Sequence, residues 1–226
     1  MKKVKKRWIL AGIAGVLLIF IIIATLYYDN TKANPQGEEA ALASYLIEQD
    51  EIMKNMERTM EIAPTTNADL DFLYGMIPHH QAAIQMSESY LNYGGSNRKV
   101  KKIAKEIIKE QTEEIAEMQK TAARLEKIGI SDVKTEEDYL AAYNELMSEN
   151  HYLKHGTTAT ENIDQAYAQG MIIHHEMAVE MAKSILAYSI NDDIRDFAED
   201  IFELQQEEIS RLKTAVHFQE SSLAGQ

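Results

Sequence analysis

Hydrophobic and polar positions divide the chain into an apolar N-terminal segment and a long amphipathic remainder. Residues 8–28 contain no charged residue. As a helix, these 21 residues would span roughly 31 Å, close to the ~30 Å hydrocarbon core of a bilayer. The pattern therefore predicts one transmembrane helix at residues 8–28.

The orientation of this segment follows from the basic residues that precede it. Residues 1–7 contain five lysine or arginine residues and no acid, which favours a cytoplasmic tail and a domain outside the cytoplasm, at the cell membrane. A cleaved signal peptide is the alternative, but its apolar core usually has ~7–15 residues and ends in small ones. This run is longer and ends in Leu26, Tyr27 and Tyr28, so we expect an uncleaved anchor.

Beyond a short polar linker at residues 29–37, apolar residues recur at helical spacing. Only ten glycines and three prolines interrupt the chain, and the breaks carry glycine or helix-capping residues. They separate six predicted helices, at about residues 38–62, 67–93, 97–128, 135–155, 161–189 and 192–218. The sequence thus predicts an all-α domain at residues 38–218, followed by a frayed tail at residues 219–226.

The predicted helices repeat. An offset of 95 residues aligns the second helix with the fifth at seven identities, in which Asp69, Gly75, Met76, His79, His80, Ala83 and Met86 match Asp164, Gly170, Met171, His174, His175, Ala178 and Met181. An offset of 94 aligns the third helix with the sixth, in which Asn97, Ala104, Gln111, Glu114 and Ile115 match Asn191, Ala198, Gln205, Glu208 and Ile209. We therefore predict two three-helix units, residues 38–130 and 133–218, packed as one bundle.

Charge and cysteine content narrow the function. The net charge is −13, and the chain after residue 28 holds 18 basic against 36 acidic residues. Such a surface repels nucleic acid and attracts cations. The chain has no cysteine, which excludes disulfides and thiolate metal sites.

Each repeat contains the pattern Met-x-x-His-His-x-x-Ala-x-x-Met. On a helix, Met76 lies between His79 and His80 on one face, whereas Met86 lies about 10 Å from His79 by rise and serves a second ion or a partner helix. Imidazole with thioether is a soft ligand set that favours Cu(I), while imidazole alone also suits other divalent metals. The predicted metal ligands are Met76, His79, His80, Met86, Met171, His174, His175 and Met181.

A weaker candidate site lies in the predicted fourth helix. His151 and His155 are four residues apart, with Met147 one turn earlier, a spacing that can chelate a metal on one helix face. The equivalent positions in the first repeat are Glu57 and Glu61, so this site is not duplicated.

Structural roles for the same residues stay open. A methionine stripe commonly fills a core, and a single buried histidine is more often a hydrogen-bonded core residue than a ligand. Glu114 and Glu208 are by default solvent-exposed acids, although they could orient imidazoles as hydrogen-bond acceptors. A metal-free helical interaction module is therefore the competing function, and a homo-oligomer is compatible with either.

The motifs resemble the domain of unknown function 305 family. Its pattern is similar to D-x-x-F-x-x-x-M-I-P-H-H-x-x-A-x-x-M at residues 69–86, followed by Q-x-x-E-I-x-x-M at residues 111–118. The second copy departs from it at Ile173 and Leu212. The resemblance implies a ferritin-like helical fold and copper binding outside the cytoplasm, and it adds Met118 as a weaker ligand candidate.

A ferritin-like fold raises a di-iron oxidase as the enzymatic alternative. Such sites use a Glu-x-x-His motif on two helices, and none of the seven histidines has a glutamate three residues earlier. We therefore expect a metal-binding protein without enzymatic activity.

Overall fold

The computed structural model describes residues 35–148 and 160–216, and every regular element within them is an α-helix. Six helices follow one another: α1 Pro35–Thr59, α2 Ala68–Tyr93, α3 Arg98–Ile128, α4 Val133–Ser148, α5 Ile163–Leu186 and α6 Asp192–Ala215. The prediction of an all-α domain is confirmed, and each predicted helix is present. Residues Ala41–Gln226 form one compact unit, and residues Met1–Ala40 form another.

Helix bounds differ from the prediction mainly in α1. It begins at Pro35, so assigning residues 35–37 to the linker was wrong. Proline suits a first helical turn because it lacks an N–H that would stay unbonded there, and Glu38 adds favourable charge.

Several sequence predictions fall outside the described residues, namely the transmembrane anchor at 8–28, the predicted fourth helix beyond residue 148, and the tail at 219–226. In the described ranges 35–148 and 160–216, no helix is long and apolar enough to cross a membrane.

Four of the helices begin after an asparagine N-cap. These four asparagines occupy two pairs of positions that are equivalent in the two repeats. Asn67 and Asn162 precede α2 and α5, and Asn97 and Asn191 precede α3 and α6. Each side chain accepts a hydrogen bond from a backbone N–H of the first turn, an interaction that typically contributes about 1 kcal/mol. The repeat in sequence is therefore also a repeat in helix starts.

The two repeats pack as one bundle, as predicted. α2 packs along α3 and α5 along α6, while α2 and α5 pack against each other and α4 contacts both. α2 and α5 run antiparallel, because Tyr90 near the end of α2 donates a 2.5 Å hydrogen bond to Asp164 at the start of α5. Ser87 likewise lies 2.8 Å from the Tyr167 hydroxyl. All six helices contribute to one buried apolar core.

The loop between α1 and α2 is held to the start of α4 by polar contacts. Thr65 donates from its backbone N–H and its hydroxyl to Asp71 Oδ1, and Thr66, at a left-handed φ of 67°, donates to Glu136. Asp71 and Glu136 are both buried. Burial and, to a smaller extent, the neighbouring Glu136 carboxyl together raise the pKa of Asp71 to about 6, against the opposing hydrogen bonds from Thr65. This junction therefore contains a carboxyl group that titrates well above its ordinary range.

We predict that the stability of the Asp71→Asn variant, relative to that of the parent, increases as the pH rises from about 4 to about 7. The folded-state pKa of about 6 exceeds the unfolded value near 3.9. The folded parent therefore binds more protons over that interval, and its stability falls as pH rises through the folded pKa. Asparagine does not ionise and can still accept from Thr65. Urea unfolding near both ends of the interval measures the difference, with the exposed substitution Asp200→Asn as the control. A stability difference independent of pH would contradict this prediction.

Candidate metal centre

The four motif histidines come together where α2 packs against α5. His79, His80, His174 and His175 are at most 1% exposed. The rings of His79 and His174 have centroids 3.7 Å apart with 35° between their planes. The two copies of the motif, 95 residues apart in sequence, therefore form one buried cluster, which we call the four-histidine cluster.

In each motif the two histidine side chains point in different directions, because adjacent helical residues diverge by about 100°. His79 and His174, the first histidines, face each other across the repeats. The second histidines face a carboxylate of their own repeat: His80 Nε2 lies 3.0 Å from Glu114 Oε2, and His175 Nε2 lies 3.0 Å from Glu208 Oε2. These contacts lack the alignment of a hydrogen bond, so they are close polar approaches between groups that could share a cation.

Glu114 and Glu208 are consequently not ordinary surface acids. The Glu208 side chain is 1% exposed and that of Glu114 is 20% exposed. They occupy equivalent positions on α3 and α6. The default expectation of two solvent-exposed acids is therefore wrong, and the alternative that these acids face the imidazoles agrees with this geometry.

The tautomer of His174 follows from its hydrogen bond. Its Nε2 lies 3.0 Å from the backbone carbonyl oxygen of His79. Because a carbonyl oxygen only accepts, a neutral His174 ring must carry its hydrogen on Nε2, which leaves the lone pair on Nδ1. Burial, and then the neighbouring imidazoles, hold the pKa of His79 and of His174 well below the ordinary value of 6.5. Both rings are therefore neutral near pH 7, the form that binds metals.

Several polar atoms of the four-histidine cluster are buried without a hydrogen-bond partner among the described residues, including the Nδ1 atoms of all four histidines. Both amide atoms of Gln111, on α3, and of Gln205, on α6, are likewise buried without a partner in this part of the chain. Each unsatisfied buried group costs about 1–3 kcal/mol, and folded proteins contain few of them. Gln111 and Gln205 are equivalent residues, one turn before Glu114 and Glu208, so α3 and α6 each carry a glutamine and a glutamate on the same face.

The predicted methionine ligands lie in the same core. Met76, Met86, Met118, Met171 and Met181 are at most 1% exposed, and Met147 is half-buried. Methionines on α1, such as Met53 and Met56, are equally buried although that helix carries no histidine, and they serve as core residues. His151 and His155, the ligands of the weaker candidate site, lie outside the described residues.

No preformed polydentate site is present in residues 35–148 and 160–216, where no three His, Asp or Glu side chains are arranged to hold one ion. The donors come instead as pairs: His79 with His174, His80 with Glu114, and His175 with Glu208. The donor chemistry fits a metal, and an ion would take few ligands or require side chains to turn.

Two buried residues of this region, Gln111 and Gln205, were not among the predicted site residues. Their signal was present in the sequence, since both match at the offset that aligns Glu114 with Glu208. An amide side chain is common on helix surfaces, however, and only the structure shows that both are buried, at 1% exposure.

Comparison with known proteins agrees with the repeat. A family model described as "Domain of unknown function (DUF305)" matches residues 26–122 and 124–216. The first segment contains His79 and His80, and the second contains His174 and His175. No curated protein and no solved structure matches the chain significantly. Since the matched segments cover most of the sequence and carry both copies of the motif, the chain belongs to the DUF305 family.

Proposed function

We propose that this protein binds a soft metal ion, with copper the first candidate, at the four-histidine cluster. The observation that supports this most directly is the set of four buried imidazoles whose Nδ1 atoms have no hydrogen-bond partner among the described residues. Histidines buried only for packing would need partners for these nitrogens. A metal ion bound to these nitrogens would offset the cost of burying them.

Copper is favoured by the chemistry around the cluster. The helices that carry the histidines, α2 and α5, also carry buried methionines, and the chain offers no thiolate. Imidazole with thioether favours Cu(I). Glu114 and Glu208 add carboxylate oxygens close to His80 and His175, so Cu(II) and Zn(II) are the ions against which Cu(I) must be tested.

The depth of the site favours metal sequestration over catalysis. Histidines that are at most 1% exposed would hold an ion away from water and from dissolved oxidants. The chain's own residues would position and shield the ion, and the carboxylates would help to balance its charge in a medium of low dielectric constant. We infer a binding or handling role rather than an oxidase.

The proposal includes the location of the domain. A transmembrane helix at residues 8–28 would hold the helical domain outside the cytoplasm, with residues 1–7 on the cytoplasmic side. A ferritin-like arrangement of the bundle is part of the same proposal. The support for the location is the uncharged apolar run and the basic residues before it.

The first prediction from the proposed function concerns the histidines. Replacing His79, His80, His174 and His175 together by glutamine should abolish tight Cu(I) binding, because it removes all four imidazole donors. Competition with a chromophoric chelator measures the affinity, and circular dichroism reports folding. A folded variant that binds Cu(I) as tightly as the parent would disprove the proposed site.

A second prediction separates methionine ligands from methionine packing. Met76→Leu with Met171→Leu should weaken Cu(I) by about tenfold or more, equivalent to about 1.4 kcal/mol, and should weaken Zn(II) less, because thioether prefers the softer ion. Met53→Leu with Met56→Leu is the matched control, since α1 carries no histidine, and it should leave both affinities unchanged. Such swaps usually cost less than ~1.5 kcal/mol of stability. If the two variants bind Cu(I) with equal affinity, Met76 and Met171 are not metal ligands.

A third prediction tests the topology. Protease added to intact bacterial spheroplasts that contain the full chain should digest the helical domain, because it is expected outside the cytoplasm. A cytoplasmic marker protein, which should survive until the membrane is lysed, is the control. Protection of the domain before lysis would refute the orientation.

A further inference from the structure

The first histidines of the two motifs are closer to each other than to their own neighbours. The ring centroids of His79 and His174 are 3.7 Å apart, whereas His79 lies 6.1 Å from His80 and His174 lies 5.8 Å from His175. His79 and His174 are equivalent residues of the repeat. Equivalent residues on antiparallel helices can meet in this way only near a local two-fold axis between the repeats.

The two repeats also orient each other's donors. The backbone carbonyl of His79, in the first repeat, accepts the Nε2 hydrogen of His174, in the second. A metal-binding histidine usually donates its other ring N–H to a carbonyl or carboxylate, and His174 has this arrangement with Nδ1 left free. The donor atom of one repeat is therefore selected by the backbone of the other.

The second histidines have a different relationship to the repeats. His80 approaches Glu114 on α3, within the first repeat, and His175 approaches Glu208 on α6, within the second. Each of these pairs stays inside one repeat. The motif thus separates into a donor that faces the other repeat and a donor that faces its own.

We propose that His79 and His174 form one metal site shared by the two repeats, in which a single monovalent soft ion such as Cu(I) or Ag(I) binds both imidazoles. The inference rests on the proposed metal binding and adds which residues share an ion. Two imidazoles suit an ion that accepts two nitrogen donors in a nearly linear arrangement. Neither repeat forms this site alone.

The two rings differ in how firmly the other repeat holds them. Nitrogen lone pairs lie in the plane of an imidazole, so two rings that lie 3.7 Å apart at 35° to each other do not point them at an ion between the ring centres. The His174 ring is held by a 3.0 Å contact from Nε2 to the His79 carbonyl. The His79 ring makes a reciprocal but poorer approach to the His174 backbone, which lacks the geometry of a full hydrogen bond. His79 is therefore the less firmly held of the two rings.

A double-mutant cycle on the full chain in detergent tests the shared site, with Ag(I) as a redox-inert probe beside Cu(I). Each single variant, His79→Gln or His174→Gln, should lose one bound ion. The double variant should lose that same ion and no other, because both residues bind it. His80→Gln with His175→Gln is the comparison cycle, and its effects should add. Ion stoichiometry is measured by competition with a chromophoric chelator.

The outcomes distinguish this inference from the proposed function. If the parent binds neither ion, both are refuted. If the parent binds metal but the effects of His79→Gln and His174→Gln add, or if both cycles are equally non-additive, only the shared site is refuted.

Folding of the variants is protected by the choice of glutamine. Its amide nitrogen can replace Nε2 of His174 as donor to the His79 carbonyl, and His79 loses no side-chain hydrogen bond in the described structure. Circular dichroism checks this. Imidazole 15N shifts of the unmutated protein give a second test: the signals of His79 and His174 should shift together over the same equivalent of Ag(I). Shifts at different equivalents would overturn the proposal.

Discussion

The packing of α2 against α5 is the interaction on which the rest of the structure depends. It joins the two repeats, and it brings the four motif histidines to one buried position. Small residues lie on both helices: Ala83 and Ala178 are fully buried, and a Cβ atom on Gly170 would make only an ordinary contact, at 3.4 Å, with Met86 Cε. Side chains larger than alanine at the two buried alanines would have to displace neighbouring groups in the core.

This packing places polar side chains where a bundle would otherwise bury only apolar ones. Imidazoles, two glutamines and two glutamates occupy the interior or its margin, largely without hydrogen-bond partners among the described residues. A core of this kind is less stable than an apolar one would be. A ligand that satisfies these groups stabilises the folded state, by about 2.7 kcal/mol at a concentration 100 times its Kd. The proposed binding would therefore also stabilise the fold, through the same residues.

The order of the six helices and most of their ends could be predicted from local features. Asn97 and Asn191 start helices because their side chains accept hydrogen bonds from the first turn. Gly94 and Gly129 end helices at positive φ values of 79° and 69°, a conformation that costs glycine little. The start of α1 at Pro35 was missed, because proline ends a helix in some contexts and begins one in others.

The sequence by itself determined the all-helical class, the repeat and the identity of the motif histidines, since these depend on helical periodicity and on matches at a constant offset. It could not determine which neighbour each histidine faces. Helical geometry makes His79 and His80 diverge by about 100°, but it does not say that one meets His174, 95 residues away, and the other meets Glu114. Those contacts depend on how far α2 and α5 slide along each other and how each helix is rotated, and only the packed side chains of the whole bundle decide that.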